Sequence, residues 1–365
     1  MSHELTHHPL TDPTQIYRYR DGLYAEDMLI AGIVWLDLFS WLAKNPSGLP
    51  GVMKQFEISE RPTDVMLTLF VAMGLLRREP SVEGRGPEGS GSRPSTLDPR
   101  PATYHVTPAA REHLCAGSPW FLGPYYASLK DRPVCQDLLK VLRTGRPANW
   151  GSEKGKQDWH KSMETEEFAT QFTAAMDCRG VFLAQAAAKQ LDLGGRAALL
   201  DIAGGSGIYA CSFCAHFPNL RATVLEKPPV DQITACAVAK RGFSERVSVV
   251  AGDMLAAPLP FGFDAHLYSN VLHDWDATVV RQLVQKSFDA LAPGGVLIIH
   301  DAHLNEDKSG PLHVAEYSTM LMHSTEGRCY GVAEMTEYLH AAGFTNVTFR
   351  PTAAARSVMQ AEKKR

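Results

Sequence analysis

The sequence lacks an excess of either charge, a long uninterrupted apolar run and an apolar leader. Its formal net charge at pH 7 is −4, which gives no reason to expect nucleic acid or an anionic membrane as a partner. The polar start MSHELTHHPLTDP has no apolar core of a signal peptide. The longest apolar run, MLIAGIVWLDLFSWLA, contains Asp37 and is too short to span a bilayer comfortably. These features predict a chain with neither a nucleic-acid nor a membrane partner.

The cysteines also lack the spacing of a disulfide framework. Seven cysteines, an odd number, are typical of reduced thiols, so we expect a cytoplasmic protein. Cys211 and Cys214 form a C-x-x-C pair inside an apparent helix, without a second pair to complete a zinc site. The pattern therefore favours core packing over metal or redox chemistry. With 365 residues, the chain is long enough for two domains.

Residues 1–115 are predicted to form a helical, winged-helix-like domain. The segment AEDMLIAGIVWLDLFSWLAK is apolar on more than one face, so we expect it to be buried against other helices or a second subunit. A second helix is expected in RPTDVMLTLFVAMGLLRRE, with Pro62 near its start. The Gly-, Pro- and Ser-rich PSVEGRGPEGSGSRPSTLDPRP predicts a surface loop, and ATYHVTPAAREHL predicts a strand followed by a helix.

The character of the sequence changes further along the chain. Residues 116–190 are predicted to form a helical linker with scattered aromatic side chains. Residues 191–365 alternate short apolar strands (AALLDIA, RATVLEK, RVSVVAGD, DAHLYSN, GGVLIIHDA) with helical stretches. This alternation is typical of an α/β fold, in which a parallel sheet carries helices on both faces.

A glycine-rich turn follows the first of these strands, in LLDIAGGSGIYACSF. Asp201 ends the strand, and Gly204, Gly205 and Gly207 precede a helix. Glycines let a backbone turn sharply and approach a ligand closely, and the N-terminus of a helix offers unpaired N–H groups and positive potential. A dinucleotide is the obvious competing ligand, but the full G-x-G-x-x-G spacing is not met, because position 210 is alanine.

Carboxylates end the first three strands. Glu226 lies roughly 20 residues after the glycines, where an acidic residue can accept hydrogen bonds from both ribose hydroxyls. Asp253 and Met254, in AGDML, end the third strand and are placed to meet an adenine. With Asp201, these carboxylates favour a nucleoside that carries positive charge over one that carries a pyrophosphate. The pattern therefore indicates S-adenosylmethionine rather than NAD, although such carboxylates can also be ordinary helix N-caps.

Five segments in order give the chain a family resemblance: DIAGGSG, LEKP, GDM, NVLHDWD and LAPGGVLIIHDAHLNEDKSGP. The chain resembles the caffeic acid and acetylserotonin O-methyltransferase family. The resemblance covers nearly the whole chain and is specific over residues 197–350. It implies a Rossmann-like methyltransferase domain preceded by an all-helical, winged-helix-like dimerisation domain. It also implies a homodimer with exchanged N-terminal helices, in which that domain contributes to the partner's active site.

The resemblance further implies the site residues. His273 matches the general base that acts on the acceptor hydroxyl, and an imidazole with an ordinary pKa of about 6.5 suits that role. The cofactor contacts are expected from Asp201, Gly204, Gly205, Ser206, Gly207, Glu226, Asp253, Met254 and Ser269. The acceptor contacts are expected from Trp159, His160, Met163, Phe172, Met176, Asn270 and His323. Aromatic and methionine side chains at helical spacing are as often plain core.

The sequence departs from plant members of the family, in which two glutamates flank the base. His300 and Cys329 occupy those positions. Neither side chain can orient an imidazole as a carboxylate does. Glu326, three residues before Cys329, is the candidate that replaces them as a second catalytic residue.

His273, Asp274 and His323 also resemble the His-Asp…His set of a minority branch that holds iron or zinc and methylates the carbon of α-keto acids. Two imidazoles and a carboxylate suit a three-ligand site with open positions, and a metal there would favour the enol of the substrate. Asp274 can equally cap the following helix. Metal-dependent carbon methylation is therefore the alternative to methylation of a phenol-like hydroxyl; sulfur and nitrogen acceptors also stay open.

Two other functional classes compete with an enzyme. A DNA-binding regulator would need a basic recognition helix, whereas RPTDVMLTLFVAMGLLRRE is apolar with basic residues only at its ends. An inactive methyltransferase-like scaffold would not need the carboxylates at the strand ends. The sequence thus predicts an S-adenosylmethionine-dependent methyltransferase of a small-molecule acceptor.

Overall fold

The computed structural model describes residues 5, 7, 9–80, 102–148 and 159–364. Apart from Pro80, the predicted Gly-, Pro- and Ser-rich loop lies outside this part. The chain divides into two units by its internal packing. The helical unit comprises Arg18–Gly151 and Leu304–Glu334, and the sheet unit comprises Met1–Tyr17, Ser152–His303 and Met335–Arg365.

The regular elements follow one another in two stretches. Before residue 148 they are α1 (Thr14–Asp21), α2 (Ala25–Ile30), a π-helical turn (Ala31–Trp35), α3 (Leu38–Lys44), α4 (Leu49–Phe56), α5 (Glu60–Ala72), β1 (Leu76–Pro80), β2 (Ala102–Val106), α6 (Pro108–Leu114), α7 (Gly123–Ala127) and α8 (Pro133–Thr144). After residue 158 they are α9 (Trp159–Ser162), α10 (Glu166–Ala188), β3 (Ala198–Ile202), α11 (Ile208–His216), β4 (Arg221–Glu226), α12 (Val230–Lys240), β5 (Val247–Ala251), β6 (Ala265–Ser269), a 3-10 turn (Leu272–Asp274), α13 (Ala277–Ala290), β7 (Val296–Asp301), α14 (Leu312–Ser324), α15 (Val332–Ala341), β8 (Thr345–Pro351) and β9 (Ser357–Glu362).

Helix α5 lies in the core of the helical unit. Its apolar side chains are buried around most of its circumference, so other elements must cover it on several sides. The ring of Phe70 lies 5.2 Å from that of Phe39. Gly32 packs so closely on Phe70 that an added Cβ would stand 2.8 Å from its ring. After α5, β1 and β2 pair antiparallel from Leu76↔Val106 to Pro80↔Ala102, which completes a helix–helix–hairpin order of the winged-helix type. The strand β2 was predicted, whereas β1 was expected to be the end of the helix RPTDVMLTLFVAMGLLRRE. The helix ends earlier because the chain turns at Gly74, whose φ is +72°.

The sheet unit contains a seven-stranded sheet in the order β5-β4-β3-β6-β7-β9-β8. β3 to β7 run parallel, and β9 is antiparallel to both of its neighbours. The predicted strands are β3 to β7, and the predicted α/β fold class with a helical front domain is confirmed. Strand order reverses between β3 and β6, and the carboxyl ends of parallel strands beside such a switch point are where α/β sheets bind ligands.

The two units do not follow the predicted boundaries at residues 115 and 190. Residues 304–334 belong to the helical unit, where α14 packs against α5. Residues 159–190 belong to the sheet unit, and Gly180 of α10 lies so close to α11 that an added Cβ would be 2.4 Å from Ile208. A composition change along the chain locates a boundary only when each unit is continuous. Here both units are assembled from separate segments.

Two expectations about composition can be compared with the structure. All seven cysteines lie in the described part, and each is a free thiol, with Cys211 and Cys214 buried in α11. Within the described ranges, no helix combines the length and the apolar character needed to cross a membrane.

Candidate active site

The turn between β3 and α11 has a shape that only glycines permit. Gly205 and Gly207 have φ angles of +58° and +72°, in the left-handed region that glycine adopts at little cost. A Cβ on Gly204 would stand 2.6 Å from the carboxylate of Asp201 and 2.9 Å from Val224. The turn therefore packs closely on Asp201 and Val224 at the strand ends, beside the N-terminus of α11.

Asp201 and Ser206 present buried polar atoms around this turn. Asp201 is fully buried, and within the described residues neither of its carboxylate oxygens has a hydrogen-bond partner of normal geometry. The hydroxyl of Ser206 is likewise buried without a partner there. Burial raises the pKa of Asp201 to about 7, because a charged carboxylate loses its hydration. Such orphaned groups are typical of a site that a polar ligand completes.

Glu226 lies beside the same turn, at the end of β4. Its Oε2 accepts a hydrogen bond of 2.9 Å from the N–H of Gly205, and its Oε1 accepts one of 2.9 Å from the N–H of Lys227. Burial raises the pKa of Glu226 to about 7 in spite of these two bonds. After β5, Asp253 forms an ion pair of 3.3 Å with Lys227, and Met254 is nearly buried. The carboxylates predicted for the cofactor thus come from neighbouring strand ends.

His273 lies in the 3-10 turn after β6 and is bound to a carboxylate. Its side chain is buried, and its Nδ1 donates a hydrogen bond of 2.5 Å to Oδ1 of Asp301, at the end of β7. Burial alone would lower the pKa of His273, but the carboxylates of Asp301 and Asp274 outweigh burial and raise it above its usual range. Arg179 of α10 opposes them. The same pairing holds the pKa of Asp301 down to about 2, against burial.

Asp274 contributes a second carboxylate to this group. Its Oδ1 lies 3.6 Å from Nε2 of His273, and burial raises its pKa to about 6. The helix that Asp274 was expected to cap, α13, is instead capped by Asp276, whose side chain accepts hydrogen bonds from Thr278 and Val279. The side chain of Asp274 is therefore directed to the histidine. An imidazole between two carboxylates is suited to accept and hold a proton.

The sequence of the chain matches the profile of a known protein family. The profile, described as an O-methyltransferase domain, matches residues 135–345, which is more than half of the chain. The chain belongs to this O-methyltransferase family. It is an enzyme that transfers a methyl group from S-adenosylmethionine to a small molecule.

Relatives of this methyltransferase cover almost its whole length. Acetylserotonin O-methyltransferase of Bos taurus is 35% identical over 355 residues, 94% of this chain and 96% of that one. The 3-hydroxy-5-methyl-1-naphthoate 3-O-methyltransferase of Streptomyces sahachiroi is 29% identical over 337 residues, 92% of this chain and 90% of that one. An O-methyltransferase family 2 protein from Planctomyces limnophilus, solved in complex with apigenin, is similar with a TM-score of 0.83 and 31% identity over 98% of each chain. The resemblance inferred from the sequence is confirmed.

The glycine turn of the methyltransferase fits S-adenosylmethionine, its methyl donor. Gly204 packs so closely on Asp201 and Val224 that it has no room for a side chain, and the hydroxyl of Ser206 is buried without a hydrogen-bond partner in the described structure. Asp201, Glu226 and Asp253 form an anionic set, which suits a ligand with a cationic sulfur and a ribose diol better than a pyrophosphate. Ser269, also predicted for the cofactor, ends β6 at the same edge of the sheet and is half-buried.

The carboxylate beside His273 is one that the sequence analysis missed. Asp301 was not considered, because its neighbour His300 was aligned with a glutamate of plant members. Glu326, the predicted replacement, is exposed in the loop after α14, and its catalytic role stays a prediction. The carboxylate that the described structure places on His273 is that of Asp301. The available signal was an acidic residue directly at the end of a buried strand, in LIIHDAH. Cys329 is buried in the helical unit.

The residues predicted for the acceptor lie in different parts of the structure. Phe172 and Met176 are half-buried in α10, where the ring of Phe172 stacks on Phe168 at 6.1 Å, and Met163 is half-buried just before that helix. The side chains of Trp159 and His160 lie outside the described part of the chain. The amide of Asn270 is bonded to Tyr209 and Arg356 within the protein, and its contact with the acceptor stays a prediction. His323 belongs to the helical unit, where its ring lies 4.6 Å from Tyr24.

The alternative metal site of His273, Asp274 and His323 receives no support. Over the described ranges, no three His, Cys, Asp or Glu side chains are arranged so that they could hold one metal ion. Nδ1 of His273 is bound to Asp301, and Nε2 of His323 lies 3.8 Å from Asp137. The relatives named above are O-methyltransferases, and iron- or zinc-dependent carbon methylation is not carried further.

Proposed function

We propose that this enzyme methylates a hydroxyl on a flat aromatic molecule, with His273 as the general base and Asp301 as the carboxylate that orients it. The observation that carries the proposal is the buried bond of 2.5 Å between Nδ1 of His273 and Asp301, at the sheet edge that also bears the glycine turn. The names of the relatives support the acceptor class. One acts on a naphthoate hydroxyl, one on acetylserotonin, and one binds apigenin.

The roles of the residues follow from their protonation. When bound, S-adenosylmethionine supplies a methyl group activated by the positive charge on its sulfur. Because Nδ1 of His273 donates to Asp301, the lone pair of the neutral imidazole is on Nε2, which takes the proton of the acceptor hydroxyl. The resulting imidazolium is stabilised by Asp301 and Asp274. Holding the hydroxyl oxygen in line with the methyl group supplies the rest of the rate enhancement.

The acceptor contacts belong to the same proposal. Met163, Phe172 and Met176 present apolar, polarisable side chains in and before α10, which suits a flat ring. His273 and Asp301 are the polar groups that fix the orientation of the acceptor, as a few placed polar groups do in a mostly apolar pocket.

The test compares the wild-type enzyme with His273→Ala on hydroxynaphthoate, N-acetylserotonin and apigenin. We expect oxygen methylation by the wild type and a loss of about 100-fold or more in kcat for the variant, the scale of losing a general base. The affinity for S-adenosylhomocysteine, measured by calorimetry, should stay within about twofold. His266→Gln is the matched control, because His266 is also buried but bonds to Ser287. Full activity of His273→Ala, or a methyl group on carbon, contradicts the proposal.

We further propose a homodimer formed through an exposed apolar face of the helical unit. The face consists of Trp35, Trp120, Leu122, Tyr125 and Leu129. These side chains form one surface, because α7 packs on the π-helical turn and Nε1 of Trp35 donates to the carbonyl of Lys130. Exposed apolar patches of this kind are typical of protein interfaces, and a second copy is the partner that the family resemblance implies. Light scattering should report twice the mass of one chain.

A further inference from the structure

A buried chain of side-chain hydrogen bonds lies directly beside the proposed base and does not include it. Nε of Arg356 donates to Oδ1 of Asn270 over 3.2 Å, and Nδ2 of Asn270 donates to the hydroxyl of Tyr209 over 3.1 Å. That hydroxyl lies 2.9 Å from Nδ1 of His300, whose Nε2 lies 2.9 Å from the hydroxyl of Thr352. Tyr209, His300 and Arg356 are each buried.

One direction of donation gives every buried donor of this hydrogen-bond chain an acceptor. An arginine can only donate, so Asn270 must turn its oxygen to Arg356 and its amide nitrogen to Tyr209. The hydroxyl of Tyr209 therefore accepts from Asn270 and donates its own proton to Nδ1 of His300. This leaves the other ring proton of His300 on Nε2, where it donates to Thr352. Every member thus has a fixed orientation.

The protonation of this hydrogen-bond chain does not change at working pH. Burial lowers the pKa of His300 to about 3 and raises the pKa of Tyr209 above its usual range. His300 therefore stays neutral and Tyr209 keeps its proton. Because none of its members titrates, this hydrogen-bond chain can hold side chains in position but cannot supply protons.

The hydrogen-bond chain joins α11, the loop after β6 and the end of β7, whose relative positions must be fixed for methyl transfer. Tyr209 is the second residue of α11, directly after the glycine turn. Asn270 directly follows β6, has a left-handed φ of +53° and begins the loop that carries His273. Its backbone N–H donates to the carbonyl of His300, the residue before Asp301. Thr352 and Arg356 belong to the connection between β8 and β9, which lies beside the carboxyl end of β7.

We infer that Tyr209 is a positioning residue, which links the cofactor-binding turn and α11 to the loop that carries His273. Binding of the cofactor at the turn is thereby transmitted to the imidazole through Tyr209 and Asn270. The inference rests on the proposed role of His273, and one readout in its test needs no acceptor.

The test compares Tyr209→Phe with Tyr268→Phe. Tyr268 is a matched control, because it is a buried tyrosine of β6 whose hydroxyl donates to the carbonyl of Leu283 over 3.1 Å, outside the hydrogen-bond chain. Each variant loses one buried hydroxyl and should lose a similar amount of thermal stability. Histidine Cε1 resonances are recorded by NMR while each protein is saturated with S-adenosylhomocysteine. Affinities are measured by calorimetry, and kcat and KM with an acceptor that the wild type methylates.

We expect the His273 resonance to move on saturation in the wild type and in Tyr268→Phe, and to move by less than half as much in Tyr209→Phe. In both variants, the affinity for S-adenosylhomocysteine and the KM for the acceptor should stay within about twofold of the wild-type values. The kcat should fall about tenfold in Tyr209→Phe alone, because that is the scale of losing one hydrogen bond in a polar network. If Tyr209→Phe fails to fold, Arg356→Met, which removes the donor to Asn270, should give the same pattern.

Equal behaviour of the two tyrosine variants in NMR and in kcat overturns the inference. The failure of the proposed function is distinguishable from it. If His273→Ala keeps its turnover, the role of the base is wrong, whereas the NMR comparison still decides whether Tyr209 links the turn to the loop. If His273→Ala loses turnover and Tyr209→Phe behaves like Tyr268→Phe, only the inference about Tyr209 fails.

Discussion

The carboxylate of Asp301 sets both the orientation of the His273 imidazole and its affinity for a proton. Replacing it by an amide in Asp301→Asn keeps the size of the side chain but removes the charge. We expect kcat to fall by about 100-fold or more, because an amide can hold the wrong tautomer of the imidazole. Steady-state kinetics at a fixed pH measures this loss. Asp289→Asn, at an exposed aspartate of α13 that bonds to Gln285, should leave kcat unchanged.

The pH profile of the same variant provides a second readout. The base must be neutral, so activity rises with pH through the pKa of His273. Burial lowers that pKa and Arg179 opposes the carboxylates, yet Asp301 and Asp274 together raise it, so the wild-type rise should be centred above about pH 6.5. In Asp301→Asn the rise should move to lower pH. A profile in the same position as the wild type would mean that Asp301 does not act on the imidazole.

Asp201 predicts how the stability of the cofactor-free protein depends on pH. Burial raises its pKa to about 7, so it binds a proton more tightly in the folded chain than in the unfolded chain. Its contribution to stability is complete below about pH 4 and is lost as pH rises through about 7. Glu226 acts in the same direction. The Tm from scanning fluorimetry should therefore fall between about pH 4 and about pH 7.

The matched variant for this prediction is Asp201→Asn, which cannot ionise. The fall in Tm with pH should be shallower in the variant, though not absent, because Glu226 is retained. An equally steep fall in both proteins would assign the effect to other groups.

Several residues of the candidate site could be proposed from the sequence, whereas Asp301 could not. The glycine turn, Glu226 and His273 each follow a strand in a recognisable order of residues. His300 and Asp301 are neighbours in β7, and successive side chains of a strand point to opposite faces. His300 consequently bonds to Tyr209 and Thr352, and Asp301 bonds to His273. Which of the two neighbours meets the base depends on how β7 pairs with β6, and that pairing is not written in the local sequence.

At the scale of elements, four charged side chains join distant segments of the helical unit. Nζ of Lys308 lies 2.9 Å from Asp64 of α5, and Arg328 lies 3.5 Å from the same carboxylate and forms a bidentate pair with Glu334. All four side chains are largely removed from water. This charged cluster attaches residues 304–334 to α5.

Removing one charge from this cluster should destabilise the fold. Glu334→Gln leaves Arg328 and Lys308 with only Asp64, and we expect a loss of about 3 kcal/mol in the free energy of unfolding, the lower end of the range for breaking a buried ion pair. Urea denaturation measures the loss. Glu79→Gln is the control, because Glu79 pairs with Arg77 at the exposed surface, where such pairs contribute roughly 0–1 kcal/mol. Equal losses would mean that the cluster is solvated.

The strands differ in how well their sequences predict them. β3, β6 and β7 are buried apolar runs followed by turns or loops, so their pattern is unambiguous. β1, β8 and β9 were not predicted. β8 is the edge strand and is mostly exposed, with Thr345, Asn346 and Arg350 among its seven residues, and such a pattern does not differ from that of a loop. Its position is decided by pairing with β9 rather than by its own composition.

At the scale of the whole molecule, the exposed apolar face predicts where two copies meet. A charge at the centre of that face, in the double variant Trp120→Asp and Tyr125→Glu, should split the dimer because a buried unpaired charge is costly. Light scattering should then report the mass of one chain. Phe261→Glu is the control, since Phe261 is equally exposed but belongs to the sheet unit. A dimer that survives the double variant uses another surface.

The interleaving of the two units also bears on how the chain folds during synthesis. A ribosome releases the N-terminal residues first, and domains of continuous sequence fold in that order. The helical unit cannot do so, since α14 and the partners of Asp64 are translated only after most of the sheet unit. The sheet unit in turn waits for β8 and β9 at the end of the chain. Neither unit can therefore be completed while the other is still unmade, and both acquire their last elements in the final part of translation.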